Sequence, residues 1–139
     1  MKRALLASLA GIPLAACMTS TTSMEPPGLD RAVLTPVPAV RAWVVLDDDA
    51  VIGSVVRYAE NGSDGRFLYV VRNLWDQDLG VVDELGRAWR RVPHREDKWI
   101  GTGTVADGVR RILDVGDSAS MSERPIEDVE DATREARGD

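Results

Sequence analysis

This chain of 139 residues has one cysteine, one histidine and one phenylalanine. One thiol cannot form a disulfide within the chain, so the fold must rest on its core alone. A zinc site needs several nitrogen or sulfur ligands, and a single histidine has no second His to help it. No metal or other cofactor is therefore expected. Basic charge is also short: 17 Lys and Arg stand against 23 Asp and Glu, a net charge of −6. That balance argues against nucleic acid as a partner. The uncharged apolar run Ala4–Ala16 spans 13 residues, whereas a bilayer-crossing helix needs about 20.

What is present begins with Met1-Lys2-Arg3, two positive charges ahead of that apolar run. Basic start, short apolar core and small residues before a cut are the layout of a secretory signal. The run ends in Leu14-Ala15-Ala16-Cys17. This stretch resembles the lipobox of bacterial lipoproteins. The resemblance implies that residues 1–16 are a signal peptide and that Cys17 is lipidated and becomes the first mature residue. Two or more acyl chains hold a protein on a membrane stably, where one holds it marginally. Met18 follows, and the absence of Asp at that position leans toward the outer membrane under the enterobacterial sorting rule. The expected location is the cell envelope, lipid-anchored and facing the periplasm.

Residues 18–38 are rich in Ser, Thr and Pro and carry no hydrophobic period. They read as a tether with a reach of roughly 25 Å. All seven aromatic residues fall within residues 39–116. Val-Val pairs recur there at 44–45, 55–56, 70–71 and 81–82, separated by turn-forming Asp, Asn and Gly. That spacing predicts consecutive antiparallel strands. Strands are expected near 41–46, 51–59, 66–73, 79–83, 87–92, 99–105 and 109–115. The expected fold class is all-β, a small antiparallel meander that closes as a barrel or sandwich, because closure removes exposed edges. Residues 117–139 hold eight acids against three bases and no aromatic. With Ile126, Val129 and Thr133 as their sparse apolar positions, they read as an acidic tail, disordered or weakly helical.

The sharpest local pattern is Gly86-Arg87-Ala88-Trp89-Arg90-Arg91-Val92. Strand alternation places Arg87, Trp89 and Arg91 on one face. An exposed Trp89 between two guanidinium groups would stack on a sugar ring and hold an anion beside it. That makes these three the candidate binding residues. The structural alternative buries Trp89 and lets the arginines reach outward to water. His94 sits among charges after Pro93, as a surface histidine does. Asp76 and Asp78 look faintly like the front of a calcium loop but lack its distal glutamate. Gly101-Thr102-Gly103-Thr104 has no following Gly-Lys-Ser/Thr, so it is no phosphate loop. Gly116–Ser120 lacks the second glycine of a nucleophile elbow. Asn61-Gly62-Ser63 reads as an ordinary turn.

The sequence therefore points to a non-enzymatic binding or structural module, held at the membrane by lipid, with an envelope protein or peptidoglycan as partner. The alternative is a small envelope hydrolase working through Asp76, Asp78 or Asp83, with His94 assisting.

Overall fold

The computed structural model describes residues 39–59 and 66–139. The expected signal peptide, Cys17, the tether and the Asn61–Ser63 turn lie outside the described residues.

Nine elements follow in order: β1 (Ala39–Asp47), β2 (Ala50–Ala59), β3 (Phe67–Asn73), β4 (Asp78–Asp83), β5 (Ala88–Arg90), β6 (Lys98–Gly101), α1 (Val105–Leu113), β7 (Ser120–Arg124) and α2 (Ile126–Arg137). The strands form one antiparallel sheet in the order β6-β5-β4-β3-β2-β1-β7. Six strands follow one another as the expected meander, and β7 returns to pair with β1. The sheet does not close. β6 and β7 remain its two edges, so the expected barrel is not formed. The expected antiparallel sheet makes up most of the fold, and two short helices are packed on it.

The strand expected at 109–115 is instead helix α1. Val105, Val109 and Ile112 recur at helical spacing. Thr104 caps the helix: its hydroxyl accepts from Asp107 N at 3.1 Å, and Asp107 Oδ2 accepts from Thr104 N at 2.9 Å. This reciprocal capping box satisfies two donors that a helix start leaves unpaired. Asp114 closes the helix in the left-handed conformation, φ 59°. The strand expected at 99–105 ends at Gly101, because Thr104 already starts the helix.

The expected acidic tail is likewise corrected. Residues 120–124 add a strand to the sheet, and residues 126–137 form α2. Val129 and Thr133 are buried at 3 % and 2 % exposure. Two buried side chains one turn apart suffice here, because the sheet supplies the rest of the apolar surface. Glu127 and Asp128 in the first turn, with Arg134 and Arg137 in the last, complement the helix dipole.

The helices lie on opposite faces of the sheet. α1 packs Val109 and Ile112 onto Val45, Val55, Val71, Val82 and Ala88. α2 packs Val129 onto Ala42, Val44 and Val56. Farther along α2's face lies a third cluster of Leu68, Val70 and Val81, bordered by Tyr58. The strand connections divide between two poles. The chain enters β1 at one pole, which also carries the β4–β5 turn. The β3–β4 turn and the β5–β6 loop lie at the other.

Candidate functional site

Arg87, Trp89 and Arg91 do share one face. The Arg87 guanidinium carbon lies 5.7 Å from the centre of the Trp89 ring. The indole is not available for stacking, however, because Trp89 is 2 % exposed. Its neighbour Ala88 is fully buried beneath α1. Both sides of β5 are therefore covered, and alternation on this strand does not separate inside from outside.

The two arginines are also engaged. Arg87 Nε donates to Asp83 Oδ2 at 2.5 Å. Asp83 Oδ1 accepts from the backbone N–H groups of Leu85 and Arg87 at 3.1 and 2.8 Å, fixing the β4–β5 turn. Arg91 Nη1 donates to Asp78 Oδ2 at 3.1 Å, while Arg72 Nε donates to Asp78 Oδ1 at 2.9 Å. Arg72 Nη2 also reaches the Tyr58 hydroxyl at 3.1 Å. Burial pulls the Arg72 pKa down, but the Asp78 hydrogen bond and the charges around it outweigh burial and raise it above the usual arginine value.

The three carboxylates of the hydrolase reading are not gathered in one place: Asp83 stands apart from Asp76 and Asp78. Asp78 starts β4 and Asp83 ends it, so they face opposite poles. Asp76 lies in the β3–β4 turn with φ 56°, and its carboxylate is 3.9 Å from Arg137 Nη1. His94 is exposed in the β5–β6 loop, also left-handed at φ 59°. Among the described residues no group of three or more His, Cys, Asp or Glu is placed to hold a metal ion. A cavity of about 100 Å³ lies between α2 and the sheet, lined in part by Tyr58, Arg72, Asp76 and Thr133. At about 30 Å³ for each water, it has room for a few waters and not for a sugar ring.

A different residue stands out at the far pole. Trp75 is 67 % exposed at the tip of the β3–β4 turn. The turn beneath it is braced by Asn73, whose Oδ1 accepts from Trp75 N at 2.9 Å and from Gln77 N at 3.0 Å. Asn73 Nδ2 donates to Gln77 Oε1 at 2.7 Å. Arg137, from the end of α2, donates to Leu74 O at 3.1 Å. A large indole is thus held out on a backbone with little freedom to move. At the same pole acids outnumber bases: Asp48, Asp49, Asp76, Glu96, Asp114 and Asp117 are exposed there, against Arg95 and Lys98. In the sequence Trp75 is simply one of seven aromatics within residues 39–116, with nothing to mark it as exposed beyond the Asn73-Leu74-Trp75-Asp76 order, in which an Asx-turn former places the indole inside a turn.

The described chain is defined by its fold as an open seven-stranded antiparallel sheet carrying one helix on each face. No family model, no curated protein and no solved structure matches it. No described helix is long and apolar enough to cross a membrane.

Proposed function

We propose that this protein is a lipid-anchored envelope lipoprotein whose domain is a non-enzymatic binding module, with Trp75 leading the contact. The observation that carries the reading is the exposed indole on its braced turn. Tryptophan is the residue type most enriched at binding hot spots, and a preorganised turn lowers the entropy lost on docking. The lipobox resemblance supplies the anchor at Cys17. With the chain entering β1 at one pole and Trp75 at the other, a partner is met on the side away from the anchor. The excess of exposed acids at the Trp75 pole favours a protein with a basic surface over an anionic wall polymer, through charge complementarity.

The test is crosslinking in intact envelopes with the lipidated protein, comparing wild type, Trp75→Ala and Leu85→Ala. Leu85 is 69 % exposed at the opposite pole and serves as the control. A defined protein partner that is lost with Trp75→Ala and kept with Leu85→Ala supports the reading. The same partner retained by Trp75→Ala removes Trp75 from the interface. Incorporation of radiolabelled palmitate that disappears with Cys17→Ser checks the anchor separately.

A further inference from the structure

α1 is seated over β3, β4 and β5. Beside it, on the same face of the sheet, β1, β2 and the start of β3 present a shelf of ring and cationic side chains. Arg41 of β1 and Arg57 of β2 are register partners, and Arg57 pairs in turn with Tyr69 of β3. Register partners in an antiparallel sheet share a face. Trp43 and Tyr69 pack at the margin of the cluster under α1, so the shared face is that of α1. The Trp43 and Tyr69 rings meet with their centres 5.8 Å apart. The Arg57 guanidinium carbon lies 4.2 Å from the centre of the Phe67 ring. Trp43, Arg57, Phe67 and Tyr69 are all half-buried and none is sealed.

The cations of this shelf are not balanced. Like charges directly opposite on neighbouring strands repel, and Arg41 with Arg57 is such a pair. Glu123 accepts from Arg41 Nε at 3.2 Å, through two side chains about half exposed to water. Among the described residues no carboxylate pairs with Arg57, and its Nε is buried without an acceptor. Phe67 covers one face of the guanidinium and holds its plane, so the outer edge with its two Nη groups is what Arg57 offers to a ligand. The Trp43 indole N–H and the Tyr69 hydroxyl also have no hydrogen-bond partner among the described residues.

We propose that this shelf binds an acidic sugar unit of a saccharide chain. The two Nη groups of Arg57 hold the carboxylate as a fork, with Arg41 adding charge beside it. The Trp43 N–H and the Tyr69 hydroxyl take hydroxyl groups of the ring. Aromatic side chains with a few convergent polar groups are the usual make-up of a small-ligand site. Open indole and phenol donors suit a hydroxyl-rich ligand better than an aliphatic one. The step beside α1 decides against a membrane surface. The helix stands about 10 Å above the sheet face, so a flat bilayer meets the helix first, whereas a single saccharide chain lies along its foot. The shelf is nearer the pole where the chain enters β1, away from Trp75, and the inference stands apart from the role given to that residue.

The experiment follows the four indole N–H signals of the full 139-residue chain in detergent by NMR, with trigalacturonate as the probe. The Trp43 N–H is expected to shift saturably together with Arg57 Nε–H, while Trp75, Trp89 and Trp99 stay in place. Arg57→Gln, with its fold checked by the amide spectrum, should weaken binding about tenfold or more, the loss of one charged hydrogen-bonded contact. Arg57→Lys keeps the charge without the fork and should fall between wild type and Arg57→Gln. No shift at Trp43, or an unchanged affinity in both variants, overturns the site. Equal affinity for the neutral trisaccharide maltotriose overturns the requirement for an acid. Inorganic phosphate that moves Arg57 Nε–H as strongly as trigalacturonate reduces the site to an unspecific anion contact and overturns the sugar. Phosphatidylglycerol vesicles that shift Trp43 where trigalacturonate does not assign the face to a lipid headgroup, and also overturn the proposal.

Discussion

Gly108 of α1 rests directly on Val82 of β4: a Cβ added to Gly108 would lie 2.8 Å from both Val82 methyl carbons. Two effects oppose each other at this position. Glycine within a helix costs up to about 1 kcal/mol relative to alanine. Overpacking a tight contact costs about 1–3 kcal/mol. Val82 is fully buried in the middle of its cluster and has nowhere to move. Gly108→Ala should therefore lower the thermal midpoint, against its helix propensity. A raised midpoint would show that α1 can lift from the sheet at no cost.

Trp75 and Trp89 should respond oppositely to truncation. Trp89→Ala empties a buried site and should cost about 3–5 kcal/mol. Trp75→Ala touches an exposed tip and should change stability by no more than about 0.5 kcal/mol. Urea unfolding of the two variants measures both. A strongly destabilised Trp75→Ala would make that indole a structural element, and its exposure would no longer argue for a partner.

Val129 tests whether the last helix belongs to the fold. Val129→Ala removes two buried methyl groups above Ala42, Val44 and Val56. The expected loss is about 2 kcal/mol, in one cooperative transition with the rest of the domain. A separate early transition for α2, seen by hydrogen exchange, would mark the helix as independent of the sheet.

Asp78 joins Arg72 of β3 to Arg91 beyond β5 through its two carboxylate oxygens. Asp78→Ala leaves both guanidinium groups without that acceptor and should destabilise by about 1–3 kcal/mol. The half-exposed setting permits water to compensate, so the lower end is expected in chemical denaturation. Removing Arg91 as well should add little to the loss, because the two changes break the same contact.

Asp107 provides the pH test. Hydrogen bonds from Thr104, the backbone N–H first and the hydroxyl second, hold its carboxyl below the usual aspartate value, and Arg110 and Arg111 add to the effect. A depressed folded-state pKa means the stabilisation is present above the unfolded value of about 3.9 and is lost as pH falls through the folded value. Asp107→Asn should flatten the acid limb of the urea midpoint measured against pH. An unchanged acid limb would assign that dependence to other carboxylates.

Six strands were legible because turn residues and Val-Val pairs mark a meander directly. Their faces were only half legible. Ala88 and Trp89 adjoin in sequence and are both buried, so alternation could not say which points to solvent. The helix at 105–113 was hidden by Gly108, which lowers helix propensity for the sake of the close approach to Val82. The C-terminal strand and helix were hidden by composition. Ser120–Arg124 is polar because β7 is an edge, and α2 needs few apolar residues because β1 and β2 supply the other half of the contact. The Arg87–Trp89–Arg91 grouping was readable from period two. Its closure by Asp83 and Asp78 was not, since those pairings depend on strand register across the sheet.

Because β7 returns to the far side of β1, the first strand is held by hydrogen-bond ladders on both flanks and runs antiparallel to each neighbour. Tension applied to the chain ahead of Ala39, against a hold at the Trp75 pole, runs along the strand axis. It must shear both ladders together, whereas a peeling edge strand breaks its bonds one after another. The last 20 residues thus turn a strand that would otherwise be an edge into a mechanical clamp, and resistance to such a pull is governed by the unfolding rate rather than by equilibrium stability.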